Sequence, residues 1–275
     1  MAIEERVSSH YTHGALEQKI LDALEASGKD CDRLQPGDLS AVDEFHLGRH
    51  AATVELVHDL RPERDTHFLD IGAGIGGPAR YLAEECGCRV TGIDLTEEFV
   101  SVATSLTRRC GLSNRVSFHH ASALSMPFPN AGFDGAMLMH VGMNIEDKAG
   151  LFAEVRRVLK PGARFGIYDI MRVSDAELIY PMPWAATPET SFVETPDTYR
   201  RLLANAGFKA EQEHDRSAMA LSLGQEMLAK MAENEAQQLG LHLIMGPATP
   251  ERFGNVMRAL EAAVIAPTEM IVVAA

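Results

Sequence analysis

Apolar and polar positions recur along the chain in two different periods, and the changes between them divide it into three stretches. In residues 1–63, Leu16, Ile20, Leu21 and Leu24 recur at helical spacing. A polar turn follows at Gln35-Pro36-Gly37-Asp38, and Val54, Leu56, Val57 and Leu60 predict a second helix over Ala51–Leu60. In residues 64–173 short apolar runs alternate with amphipathic stretches. The runs His67–Ile71, Arg89–Asp94, Val116–His120, Phe133–Met139 and Arg164–Asp169 predict strands, and Pro78–Glu85, Glu97–Cys110 and Asp147–Leu159 predict helices between them. Such alternation implies βαβ units and a parallel sheet covered on both faces. Residues 174–275 are mixed, with a helix at Pro196–Ala206, a strand near Phe208–His214 and a helical pair at Ala218–Leu239 and Pro250–Val264. Glu269-Met270-Ile271-Val272-Val273 predicts a last strand, so apolar that it must pair inside the sheet.

Composition adds exclusions. Hydrophobic residues make up 46% of the 275, enough for a sizeable core. No apolar run reaches the roughly 18–20 residues that span a bilayer, and Met1–Arg6 lacks a secretory signal, so the chain reads as cytoplasmic. The net charge of −14 repels phosphate backbones and anionic membranes, which points away from nucleic acid and membrane partners and towards a small-molecule substrate. Cys31, Cys86, Cys88 and Cys110 match neither a redox pair nor a zinc spacing and read as reduced thiols in or near the core.

The strongest local signal is Phe68-Leu69-Asp70-Ile71-Gly72-Ala73-Gly74-Ile75-Gly76-Gly77, an apolar strand running into a glycine turn that opens a helix at Pro78. Gly72, Gly74 and Gly77 satisfy G-x-G-x-x-G, and such glycines bring backbone close to a ligand beside the positive end of a helix. Asp94 ends the second strand 94 − 77 = 17 residues after Gly77, where a carboxylate can accept from both ribose hydroxyls. Up to this point a nicotinamide dinucleotide, and hence an NAD-dependent oxidoreductase, fits as well as S-adenosylmethionine.

Later blocks discriminate. Leu69-Asp70-Ile71-Gly72-Ala73-Gly74, Gly92-Ile93-Asp94, Leu124-Ser125-Met126-Pro127-Phe128-Pro129 with Phe133-Asp134, and Arg157-Val158-Leu159-Lys160-Pro161-Gly162 stand in the order and spacing of one family. Over residues 40–210 the chain resembles class I S-adenosylmethionine-dependent methyltransferases. The resemblance implies a Rossmann-like, doubly wound α/β fold: a mostly parallel seven-stranded sheet with its last strand antiparallel. Around it we expect a helical lid segment at 1–63, a methyltransferase domain at 64–275, and a helical insertion at 218–264 that caps the sheet edge or forms a homodimer surface. The implied cofactor is S-adenosylmethionine, leaving as S-adenosylhomocysteine. Gly72 and Gly74, with Gly77, would face its methionine part and Asp94 with Leu95 its ribose; Asp70 would hold the amino group, and Ser122 and Ala123 the adenine edge. Aspartate is common in the family where Ser122 stands, so the charge is missing there.

A narrower resemblance rests on Val42-Asp43-Glu44-Phe45-His46-Leu47-Gly48-Arg49 and His140-Val141-Gly142-Met143-Asn144-Ile145-Glu146-Asp147-Lys148. These segments look like bacterial sarcosine/dimethylglycine N-methyltransferase relatives, which implies an amino-acid-derived amine as acceptor. The alternative is O- or C-methylation of a quinone, sterol or polyketide-like molecule, since Met139, Met143, Met182 and Phe192 suit a flat ring. A cofactor-binding protein without catalysis is a third reading, because Asn144 stands where phosphoethanolamine enzymes carry a catalytic histidine.

Methyl transfer from a sulfonium needs a base only where the attacking atom carries a proton. His140, at the end of the fourth strand beside the expected sulfonium, is read as that base or as a wall of the pocket. Asn144 either orients substrate or caps the helix starting near Ile145. Tyr11 belongs to a lid or to helix packing. His46 and His50, four apart, could share a helix face as metal ligands, but no third ligand follows and no metal is expected. His46 and Arg49 are instead placed at the substrate, with Arg49 a partner for a carboxylate. Trp184, in a proline-stiffened loop, is read as an aromatic wall of the substrate site with Met143 and Phe192, or as a buried loop anchor.

Overall fold

The computed structural model describes residues 3–12, 14–232 and 239–275. Among them, helices α1 (Ile3–Tyr11), α2 (Leu16–Ala26), α3 (Pro36–Leu39) and α4 (Arg49–Leu60) precede the sheet. Then come β1 (His67–Ile71), α5 (Gly77–Cys86), β2 (Arg89–Asp94), α6 (Glu97–Arg109), β3 (Val116–His120), β4 (Phe133–Met139), α7 (Lys148–Val158) and β5 (Leu159–Arg172). The chain continues through α8 (Pro196–Asn205), β6 (Phe208–Asp215), α9 (Ser217–Ala232), α10 (His242–Met245), α11 (Thr249–Glu261) and β7 (Ile265–Ala274). Part of the expected Ala218–Leu239 helix, residues 233–238, lies outside the described residues.

The described strands form a single sheet of seven in the order β3-β2-β1-β4-β5-β7-β6. Strands β1 to β5 run parallel, and β7 lies antiparallel between β5 and β6. The expected internal pairing of the last strand is thus met: Tyr168 faces Glu269 on one side and His214 faces it on the other.

Alternation within the strands sorts side chains onto two faces. Phe68, Val90, Met137 and Ile271 pack on one face with Ala52, Leu56 and Leu60 of α4 and Ala79 and Leu82 of α5. Leu69, Ile93, Leu138 and Phe165 pack on the other with Leu151, Phe152 and Val155 of α7 and Leu203 of α8. Both faces are therefore dry, which is why these strands read as apolar runs. A third cluster joins α2 and the 31–42 segment to Phe99, Val102 and Leu106 of α6. A fourth packs α11 over Ile170 near the end of β5 and over Met182 and Trp184 beyond it. The chain reverses direction across the sheet between β1 and β4, and there a crevice opens at the carboxyl ends of the strands.

Candidate active site

That crevice is a cavity of about 280 Å³. Asp70 is the penultimate residue of β1, Asp94 ends β2, and Met139 ends β4 with His140 just after it; the Gly72–Gly74 turn forms one wall, and Ala121–Leu124 the next. Helix α1 lies across the opening with Ile3, Glu4, Val7 and Tyr11.

The turn shows why glycine is needed. Gly72 has φ +71°, and a Cβ on it would stand 2.3 Å from Val141 Cγ2. Gly74 has φ +54° with open space where a Cβ would be, a gap a ligand can enter. Its N–H donates to Asp94 Oδ2 at 2.9 Å, and Thr96 N–H donates to Asp94 Oδ1 at 2.8 Å. Both carboxylate oxygens are thereby fixed, each with accepting capacity to spare. Gly77 is placed elsewhere. It does not line the cavity but packs under the 43–44 segment, where a Cβ would stand 2.4 Å from the Asp43 carbonyl oxygen. Its expected contact with cofactor is replaced by close backbone packing.

Asp70 has an Oδ2 that is enclosed and bonded to nothing. Burial pushes this carboxyl up to about 8, and the nearby carboxylates of Asp94 and Glu44 push the same way. An orphaned acid facing a cavity is the partner a cation lacks. S-adenosylmethionine fits such a site: Asp70 would hold its amino group, Asp94 the ribose, and the open backbone at Gly74 its methionine part. Bound there, it supplies a methyl group already activated on a sulfonium, leaving the protein to position and desolvate the acceptor.

Ser122, Ala123 and Leu95 line the same end. The Ser122 hydroxyl donates to the Glu4 carboxylate and accepts from Leu124 N–H at 3.1 Å. The charge missing from position 122 is thus brought by α1, 118 residues away in sequence.

At the other end stand His140, Asn144 and Arg49. His140, held at φ +53°, accepts from Leu47 N–H at its Nδ1 over 3.4 Å, while its Nε2 is enclosed and unpartnered. The ring stacks on Tyr168 with centroids 5.1 Å apart. Burial, reinforced by neighbouring His46, drives its pKa well below the usual histidine value. With Nδ1 engaged and Nε2 enclosed, the neutral ring forms part of the cavity wall. Asn144 is not a helix cap, since Asp147 caps α7 by accepting from Gly150 N–H at 2.8 Å. The Asn144 amide instead donates to Trp184 C=O at 2.8 Å and accepts from Tyr11 O–H at 3.0 Å, tying lid to loop. Arg49 starts α4 facing away from the main cavity, and its Nη2 donates to the carbonyls of Ser40 and Ala41 at 2.9 and 2.7 Å. Both hydrogens of Nη2 are thereby committed to backbone.

Trp184 is buried and lines the cavity, with its Nε1 donating to Ser191 Oγ at 2.9 Å. Met143 lines it too, whereas Phe192 lies outside the lining and packs through its backbone, donating to Met143 C=O at 2.7 Å. His46 precedes α4, so it does not share a helix face with His50; Glu44 stands between the two rings. Sequence reasoning missed Glu4, Glu44, Phe45 and Phe99. Glu44 and Phe45 stood only as members of the 42–49 segment, and Glu4 carried no signal on a helix that has Val7 as its one buried side chain.

Beyond His46, His140 and Trp184 the space continues into a smaller chamber of about 50 Å³, floored by Leu223, Met227, Leu241, Met245, Phe253 and Val256 of the α9–α11 segment. Arg49 is the one cation lining either space among the described residues.

Together, fold and site define a doubly wound α/β domain that holds a cationic nucleoside at its strand ends. Comparison with known proteins agrees. A family profile described as "Methyltransferase domain" matches residues 69–167. An O-methyltransferase of Penicillium expansum is 33% identical over 208 residues, covering 67% of this chain and 73% of that protein. A sterol 24-C-methyltransferase of Gibberella zeae is 35% identical over 114 residues, 42% of this chain and 30% of that one, so the chain spans about a third of that relative's length. The crystal structure of a putative sarcosine dimethylglycine methyltransferase from Galdieria sulphuraria shares the fold, with a TM-score of 0.65 and 18% identity over 82% of this chain and 85% of that one. The chain belongs to the class I S-adenosylmethionine-dependent methyltransferases.

Proposed function

We propose that this protein methylates a hydroxyl group on an apolar small molecule. The observation that carries this is the inner chamber: its floor is aliphatic and aromatic, and its one cation among the described residues already gives Nη2 to two backbone carbonyls. An amino acid such as sarcosine would leave its carboxylate unpaired there, at a cost of several kcal/mol by order of magnitude. A ring or terpenoid skeleton would instead gain about 25 cal/mol for each Å² of apolar surface buried. Of the acidic residues lining the cavity, Asp70 and Asp94 lie at the cofactor end, Asp43 is paired with Arg80, Glu4 is bonded to Ser122 and Asp147 caps α7; Glu146 lines it as well. Oxygen as the attacking atom is supported by likeness to the Penicillium expansum O-methyltransferase. Helix α1 serves as the lid that excludes water during transfer.

The test is transfer of labelled methyl from S-adenosylmethionine to a panel of phenols, quinols and sterols, run beside glycine, sarcosine and dimethylglycine. Label is expected on hydroxylated ring compounds and not on the amino acids. Turnover of sarcosine or dimethylglycine, with none of the ring compounds, would overturn the reading.

A further inference from the structure

Helix α1 brings a carboxylate to the end of the cavity where position 122 lacks one. Ser122 follows β3, and the Ala121 N–H before it donates to Asp94 C=O at 3.1 Å. The 121–124 wall therefore adjoins the residue assigned to the ribose, on the side open to the base that the ribose carries. Of the two adjacent acids on α1, Glu4 lines the cavity and Glu5 does not. Among the described residues Glu4 is the one acid of the lining that is bonded to this wall.

The hydrogen bonds at this wall are unequally used. The Ser122 hydroxyl gives its one hydrogen to Glu4 Oε1 and accepts from Leu124 N–H at 3.1 Å, so Ser122 fixes the carboxylate in place. Glu4 Oε1 takes that single bond, and Glu4 Oε2 accepts nothing among the described residues. A carboxylate holds about four lone-pair sites, so most of its accepting capacity is unspent. Ile3 and Val7 line the cavity from the same helix, and Leu95 and Leu124 line it from the sheet side, which gives a flat base apolar surface beside the acid.

We propose that Glu4 reads the base of the cofactor: its carboxylate accepts from the adenine 6-amino group, so the lid helix itself selects adenine and closes on it. The inference rests on the cofactor and not on which acceptor is methylated. A carboxylate only accepts, so it favours an amino group and opposes a carbonyl oxygen in the same place. Helix α1 has one buried side chain, Val7, and at its other end Tyr11 donates to Asn144 at 3.0 Å. With so little apolar burial, a bond from Glu4 to the base is a large share of what holds the helix down. The coupling is reciprocal: the closed helix tightens the cofactor by the same factor by which the cofactor favours closure. If Glu4 only pins α1 to Ser122, its loss weakens every nucleoside alike, whatever the base.

The test compares S-adenosylhomocysteine with S-inosylhomocysteine, which carries a carbonyl oxygen in place of the 6-amino group. Titration calorimetry of the full chain is expected to show wild type preferring the adenine compound by about tenfold or more. In Glu4→Ala that preference is expected to shrink by more than about threefold. Glu4 is exposed and alanine favours helix, so the variant keeps its fold. A smaller change in preference, with both compounds weakened alike, would falsify the reading of the base and leave Glu4 a pin. Amide exchange gives the second measurement. At saturation, S-adenosylhomocysteine is expected to slow residues 3–11 of wild type at least about threefold more than S-inosylhomocysteine does, and this difference is expected to vanish in Glu4→Ala. Equal slowing by the two compounds in wild type overturns the coupling of lid to base.

Discussion

At the scale of single residues, Asp70 pits stability against binding. Its carboxyl titrates at about 8 in the folded chain, raised first by burial and then by Asp94 and Glu44, against about 3.9 when unfolded. The folded form therefore holds a proton that the unfolded form gives up. Stability from this group is complete below about pH 4 and is lost as pH rises through about 8. Asp70→Asn removes that loss, so without ligand the variant is expected to melt roughly 3–8 °C above wild type at pH 8, with the gap narrowing towards pH 5. The same variant is expected to bind S-adenosylhomocysteine at least about tenfold more weakly, since it gives up a charge-assisted bond. Calorimetry at both pH values checks both, and an unchanged melting gap would reject the assigned conflict. Asp70, Asp94, Gly72 and Gly74 were legible in sequence because one strand and one turn set their geometry. Glu4 and Glu44 were not, because what gives them meaning is a partner reached through the fold.

At the scale of elements, the start of α5 shows what the third motif glycine is for. Gly77 lets the 43–44 segment lie directly on the helix, and the buried Arg80 guanidinium then reaches Asp43 Oδ2 at 2.8 Å and Ile75 C=O at 2.9 Å. Arg80 Nη1 also donates to Thr107 Oγ1 on α6 at 3.0 Å, so one side chain pins three pieces of chain. Asp43→Ala leaves that cation buried and unpaired and is expected to cost about 3–5 kcal/mol in urea unfolding. A loss below about 1 kcal/mol would mean that water replaces the partner. Strands β1 to β4 matched their sequence-predicted limits residue for residue; β1, β2 and β4 are buried along most of their length, whereas the edge strand β3 buries only Val116. Strand β5 did not. It runs from Leu159 to Arg172 because Leu159 already pairs with Phe133 before the Gly162 turn, and because β7 accompanies it to Arg172. Pairing of that kind leaves no periodic trace.

At the scale of the whole molecule, α1 is held by few bonds and covers much. Tyr11 meets Asn144, His10 Nε2 lies 3.1 Å from Pro183 C=O, Glu4 meets Ser122, and the Gly14 N–H just beyond the helix donates to Glu98 at 3.0 Å. An element with one buried side chain should open more readily than the sheet beneath it. Binding of S-adenosylhomocysteine is expected to slow amide exchange over residues 3–11 by about tenfold or more, with β4 and β5 changed little. Equal slowing everywhere would mean that α1 does not move alone. The sheet has a different timetable. Strand β7 fills the slot between β5 and β6, yet α9, α10 and α11 are all made before it. While a ribosome is still translating those helices, β5 and β6 each present a bare row of backbone donors and acceptors with no neighbour to take them. In that interval the two edges are open to pairing with other chains, and a pause in translation late in residues 216–264 is expected to lengthen the time they are exposed to aggregation.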